Sequence, residues 1–208
     1  MNRLLLGTKN EGKIRELRDL LQQVRGLDLL TGVDLAFSAV EETGETFLEN
    51  ALLKARGVCA EVGLPVLAED AGLEVVALGG APGVRSARFS GEPVDYARNN
   101  ALLLDKLHGT TDRRARFVAV SALCLPDGQA FVTSGILSGR IAQRPTGDGG
   151  FGYDPVFVPD GEARTLAEIP LAEKNRISHR RRAVERMIAV LEVLLRDGEL
   201  KSCYLKSF

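Results

Sequence analysis

Glu69 and Asp70 stand side by side after the apolar run Val66 to Ala68 and ahead of Gly79, Gly80 and Gly83 around Pro82. Two adjacent carboxylates repel unless a cation or hydrogen bonds compensate. Magnesium is commonly held by one or two carboxylates together with phosphate oxygens. The pair therefore reads as a metal site at a strand end, with a solvated strand terminus or an N-cap as the plain alternative. The glycines after it suit a tight loop that lets backbone approach a ligand, and Arg85 and Arg88 follow.

A second candidate is the stretch from Gly7 to Lys13, "GTKNEGK", which fits the phosphate-cradling pattern GxxxxGK between a strand and a helix. Ile14 stands where that pattern needs Ser or Thr for Mg²⁺. The helix start with Lys9 and Lys13 beside it still attracts phosphate, since its N–H groups are exposed; a solvated helix start is the alternative. In "EETGETFLENALLKA", residues 41–55, the helix dipole accounts for acids near the helix start but not for Glu41 and Glu42, which precede the capped turn. Asn50 and Lys54 lie one turn apart, as a functional pair or a surface one.

Two further stretches suit a flat, anionic ligand. In "TGDGGFGYDPVFV", residues 146–158, glycines flank Phe151 and Tyr153 and leave room for a ring to stack; a glycine turn entering a strand explains the same residues. "EKNRISHRRRA", residues 173–183, gathers Lys174, Arg176, His179 and Arg180 to Arg182 at a helix start. Positive charge is unfavourable at that end of the dipole, so an anion or carboxylate should lie nearby. His179 also reads as a capping histidine, and His108, at a helix end, as structural.

The elements that must position these groups alternate. Leu4 to Leu6 predicts a strand, and Ile14, Leu17, Leu21 and Val24 recur at helical spacing. Thr46-x-x-Glu49 is a capping box that opens a helix stopped at Gly63 and Pro65. Val66 to Ala68 and Leu73 to Leu78 read as two short strands, and "VDYARNNALLLDKLHG" as a helix ended by Gly109. "FVAVSALCL" and "AFVTSGIL" flank Pro126-Asp127-Gly128, a hairpin signal. A helix runs from Ser178, its N-cap, to Asp197, with Gly198 after it.

The 208 residues carry a net charge of -1 and no Trp, which predicts one soluble globular domain without a global field for nucleic acid or membrane. Cys59, Cys124 and Cys203 match no metal or disulfide spacing and read as reduced thiols. Three consecutive leucines at the start are too few for a signal core or a membrane span, so a cytoplasmic location is expected.

Taken together, "TKNEGK", "EETGETFLENALLKA", "AEDAGLEVVALGGAPGVRSARFSG", "GGFGYDPVF" and "EKNRISHR" resemble the inosine triphosphate pyrophosphatase family over roughly residues 3–196. That resemblance implies an α/β fold with an elongated, bent mixed β-sheet flanked by helices, two lobes with a central substrate groove, and a homodimer. Residues 1–208 would form one bilobed catalytic domain with an uninterpreted tail at 198–208. It implies hydrolysis of ITP, dITP and XTP to the monophosphate and pyrophosphate, with Mg²⁺, or Mn²⁺ in its place, as cofactor.

By the same resemblance, residues 8–13 (Thr8, Lys9, Asn10, Glu11, Gly12, Lys13) hold the triphosphate, and Glu41 and Asp70 bind metal with Glu69 beside them. Asp70 is also the catalytic base. Phe151, Gly152, Tyr153, Asp154, Lys174, His179 and Arg180 take the base and remaining phosphate contacts, and Lys54 matches a lysine usual in the second motif. Glu69, Ala71, Lys9 and Arg85 depart from the family pattern; Ala71 lacks a hydroxyl and contributes through backbone alone. A 6-keto purine presents an acceptor and an N1–H donor where adenine presents the reverse, which suits discrimination by buried polar groups. A turnover-deficient nucleotide regulator, a P-loop phosphotransferase and a pyrophosphatase for pyrimidine or modified nucleotides are the competing readings.

Overall fold

The computed structural model describes residues 2–200. Six strands among them form one mixed sheet in the order β2-β1-β3-β4-β5-β6. They are β1 (Asn2–Leu6), β2 (Leu27–Leu30), β3 (Val66–Val75), β4 (Arg114–Cys124), β5 (Ala130–Ile141) and β6 (Phe157–Pro159). β1 runs parallel to β2 and β3, as strand–helix–strand crossovers require, and β5 runs antiparallel to β6. The helices are α1 (Glu11–Leu21), α2 (Phe47–Val62), α3 (Tyr96–Lys106), α4 (Leu171–Ile177) and α5 (His179–Asp197). The α/β class with a mixed sheet is the one expected.

Local chemistry explains most element ends. Thr46 and Glu49 cap α2 reciprocally, and Gly63 closes it in the left-handed conformation. Ser178 Oγ accepts from Arg181 N–H at 3.0 Å, the N-cap bond of α5. The β4–β5 turn closes through Leu125 N–H to Gln129 O at 2.9 Å.

One expectation is corrected. Val66–Val75 is a single strand, so Glu69 and Asp70 lie within it and not at its end. A polar pair interrupts an apolar run without any backbone cost. Both side chains are buried against lysines, and the strand continues through Leu73 and Val75 before a 3₁₀ turn, Val76–Leu78, ends it. β2 and α4 are short and have no counterpart in the sequence pattern, whereas β6 is the strand that the plain alternative for residues 146–158, a glycine turn entering a strand, expects.

The chain divides into two compact units whose boundaries fall within β3, β4, β5 and α5. The first holds the chain to Asp70, Val120–Ser134 and the chain from Arg182; its core joins Leu4 and Leu6 of β1, Leu17 and Leu21 of α1, Leu67 of β3 and Leu123 of β4 to Met187 and Leu191 of α5. Leu5, pointing the other way, is equally buried, so both faces of β1 are covered. The second unit holds Ala71–Ala119 and Gly135–Arg181, around Leu73, Leu103, Phe117, Leu137, Tyr153 and Phe157. Cys59 and Cys124 are buried free thiols, and Cys203 and most of the uninterpreted tail lie outside the described residues. No helix among the described residues is long and apolar enough to cross a membrane.

Candidate functional site

In the first unit, β1 delivers the chain at Gly7 into the start of α1. Asn10 is the N-cap, its Oδ1 accepting from Lys13 N–H at 3.1 Å, while Thr8 Oγ1 accepts from Asn10 N–H at 3.2 Å. A helix leaves its first N–H groups without intrahelical partners, and no side chain among the described residues caps those of Glu11 and Gly12. The Lys13 side chain folds back to β3, where Nζ donates to Glu69 O at 3.2 Å and lies 3.7 Å from Glu69 Oε1. Lys9, by contrast, is exposed and sets its ammonium 5.4 Å from the centre of the Phe37 ring.

Asp70 on β3 meets Lys54 on α2, with Nζ 2.8 Å from Oδ1, and the same ammonium lies 2.6 Å from Glu42 Oε1. The turn before α2 places Glu42. Asn50, buried on α2, grips Gly44 by both backbone groups, Oδ1 to N–H at 2.8 Å and Nδ2 to O at 3.2 Å. A Cβ at Gly44 would lie 2.6 Å from Glu49 Cβ and 2.8 Å from Asn50 Oδ1, so the turn requires glycine. Asn50 is thus the support of the turn, neither a ligand group nor a surface partner of Lys54. Glu41 is exposed and makes no hydrogen bond or ion pair among the described residues. The ion pair takes Glu42 instead, whose signal in the sequence was its unexplained place ahead of the capped turn.

The electrostatics of this cluster are opposed. Burial pushes the Asp70 carboxyl up; Lys54 and Lys13 pull it down without cancelling that push, so it stays above the usual carboxylate range. Burial alone would lower Lys54, but Asp70 and Glu42 outweigh it and hold the ammonium protonated. Asp70 Oδ2 is buried and has no hydrogen-bond partner among the described residues. A buried carboxylate oxygen left open carries a desolvation cost that a ligand can offset, and an anionic oxygen donor suits a hard divalent cation. No cluster of three or more His, Cys, Asp or Glu among the described residues makes a closed metal cage. Magnesium does not need one, since it is usually held by one or two carboxylates plus substrate phosphates.

In the second unit the glycine-rich turn is organised by Asp154, buried together with Lys174. Asp154 Oδ2 accepts from Lys174 Nζ at 2.6 Å and from Phe151 N–H at 2.8 Å. Gly150 has φ +71°, and a Cβ there would collide with the Asp154 carboxylate, so glycine is obligatory. Lys174 Nζ and the Arg180 guanidinium lie 5.3 and 5.6 Å from the half-buried Phe151 ring centre. His179 stacks on Phe117 at 4.7 Å between ring centres, with 9° between planes. Asp154 is thus one carboxylate near the basic helix start, as the charge argument required.

Tyr153 differs from its expected stacking role. It lies in the core, its hydroxyl donates to Ser86 O at 2.9 Å, and burial pushes its ionisation well up. Of the two rings only Phe151 is open to a flat ligand. Gly152 and Ala71 are half-buried, and Arg85 is exposed.

Fold and polar clusters together define a mixed α/β protein that carries a half-open, lysine-paired carboxylate on a central strand. More particularly, the chain belongs to the Ham1 family, whose family model matches residues 4–190. It is 50% identical over 198 residues to a dITP/XTP pyrophosphatase of Symbiobacterium thermophilum, covering 94% of this chain and 98% of that one. A dITP/XTP pyrophosphatase of Deinococcus deserti is 49% identical over 196 residues, covering 94% and 90%. Among solved structures, a HAM1 protein from Coxiella burnetii superposes with a TM-score of 0.84 at 38% identity, covering 92% of this chain and 98% of that one.

Proposed function

We propose that this protein is a nucleoside-triphosphate pyrophosphatase that hydrolyses the deaminated purine nucleotides ITP, dITP and XTP to the monophosphate and pyrophosphate, keeping them out of DNA and RNA. The activity for which its relatives are named supports the reading. The observation that carries it here is Asp70, with one oxygen held by Lys54 and the other buried and open.

Glu41, Glu69 and Asp70 are the acids that would hold Mg²⁺, or Mn²⁺ in its place. When bound, the ion neutralises charge on phosphoryl oxygens and sharpens the nucleophilicity of water. Lys54 fixes the plane of the Asp70 carboxylate, which orients the attacking water and receives its proton. The uncapped N–H groups of Glu11 and Gly12, with Thr8, Lys9, Asn10 and Lys13 around them, take triphosphate oxygens at a helix N-terminus. Water oxygen bonds to the α-phosphorus as the bridging α–β bond breaks, and pyrophosphate departs with its charge offset by lysine.

The other groups are assigned to the base and the remaining phosphate. Phe151 is the stacking ring, Gly152 offers backbone, Asp154 holds the turn, and Lys174, His179 and Arg180 supply positive charge. Ala71 contributes backbone only. The protein acts as a cytoplasmic homodimer in this reading, which light scattering on the purified chain checks.

The test is hydrolysis of ITP, dITP, XTP, GTP, ATP and dTTP with and without Mg²⁺, resolving pyrophosphate from single phosphate. Metal-dependent pyrophosphate release concentrated on ITP, dITP and XTP is expected. Single-phosphate release, or binding without turnover, overturns the proposal.

A further inference from the structure

Within the second unit, α3 carries two consecutive buried asparagines with different tasks. Asn99 is fully engaged: its Oδ1 accepts from Ser90 N–H at 2.7 Å and its Nδ2 donates to Ala87 O at 2.9 Å. Asn100 is half-engaged. Its Nδ2 donates to Gly152 O at 3.0 Å, in the middle of the turn that presents Phe151, and its Oδ1 is buried with no partner among the described residues.

The tether decides which atom is left over. A backbone carbonyl can only accept, so the amide nitrogen must face Gly152 and the remaining atom is an acceptor. A buried acceptor without a donor carries a desolvation cost, which a ligand donor would remove. The surroundings suit a flat ring. Tyr96 lies one helical turn before Asn100 on the same face of α3, with its ring centre 6.3 Å from that of Phe151 at 54°.

We propose that Asn100 is a specificity-determining residue, whose Oδ1 accepts the N1–H of a 6-keto purine resting against Phe151 while its Nδ2 holds the Gly152 carbonyl. Adenine presents a lone pair at N1, which meets that oxygen acceptor to acceptor. Guanine carries the same N1–H as hypoxanthine and xanthine, so Asn100 separates 6-keto purines from adenine and is blind to the 2-amino group. The inference rests on the pyrophosphatase reading and adds to it a single atom that reads one edge of the base.

The test compares kcat/KM for dITP, dATP and dGTP, and inhibition by inorganic tripolyphosphate, in the full chain and in Asn100→Leu and Asn100→Ser. Absence of dITP turnover in the unsubstituted protein would sink the functional reading before Asn100 is in question. Given turnover, the dITP-to-dATP ratio should fall at least about tenfold in both variants, mainly through KM for dITP. The dITP-to-dGTP ratio should stay within about twofold and tripolyphosphate inhibition should not change, because neither depends on distinguishing the N1 positions. An unchanged dITP-to-dATP ratio, or tripolyphosphate inhibition weakened in parallel, overturns the proposal. Should neither variant fold, the unsubstituted protein still decides: 1-methyl-ITP, which lacks the N1 hydrogen, should show a KM at least about tenfold above that of ITP, and equal values overturn it.

Discussion

Asp70 and Asp154 are both buried aspartates paired with a lysine at hydrogen-bonding distance, 2.8 Å to Lys54 and 2.6 Å to Lys174, yet they are finished differently. One oxygen of Asp154 collects an ammonium and the Phe151 amide together, and Gly150 packs so close that no β-carbon fits. Asp70 shares its lysine with Glu42 and leaves Oδ2 open. The same residue pair therefore serves as a knot that shapes a turn in one unit and as a binding group in the other. What separates them is that Asp70 keeps one buried oxygen without a hydrogen-bond partner among the described residues, not burial or distance.

Neutralising each aspartate should have opposite consequences. Asp70→Asn is expected to lower kcat by about 10²–10⁴-fold, the range typical of a positioned acid–base group. Its thermal midpoint should hold or rise: the carboxyl sits above its ordinary range, so ionising it at neutral pH costs stability that Asn does not incur. Retained turnover would remove Asp70 from the chemistry. Asp154→Ala should instead destabilise by about 3 kcal/mol, because Lys174 is left buried without its carboxylate, and calorimetry should register a midpoint lower by roughly 6–12 °C. An unchanged midpoint would mean that the turn does not depend on the knot.

The smaller effects sharpen the contrast. Lys54 lowers the Asp70 carboxyl, so Lys54→Met should raise it further and move the acid limb of the kcat/KM profile to higher pH, with activity lost earlier as pH falls. A limb that stays in place would mean that Asp70 does not set it. Arg114 and Asp112 give the exposed baseline: at 2.7 Å, chiefly through its bonds to Arg114, the Asp112 carboxyl is lowered from 3.8 to about 2. A lowered carboxyl contributes stability in full above its unfolded value and loses it as pH falls from near 3.8 through about 2. Arg114→Ala should return Asp112 towards 3.8 in an NMR titration and, because both groups are exposed and screened, lower the thermal midpoint at neutral pH only slightly.

Legibility in the sequence followed the range of the interactions. The α2 capping box, the β4–β5 turn and the Ser178 cap were readable because donor and acceptor lie within a few residues of one another. β3 was misread as two strands because its polar pair is accommodated from far away, by Lys13 across 56 residues and Lys54 across 16. Tyr153 was misread for a related reason: its hydroxyl partner, Ser86, is 67 residues distant, and glycines flanking an aromatic suggest an open ring whether or not a core closes over it. β6 is three residues long, too short for a period to show. The resemblance named acids and lysines; in the structure Glu42 holds Lys54, and Asn50 holds the turn carrying Glu42.

That turn has a consequence for motion. The amides of Gly44, Glu45 and Thr46 donate to Asn50 Oδ1 and Glu49 Oε2, side chains of α2, and not to neighbouring backbone. A stretch without regular structure therefore shares its hydrogen-exchange protection with the first turns of a helix. Its amide hydrogens should exchange when the start of α2 frays, so Glu42 and the helix that carries Lys54 open as one cooperative segment.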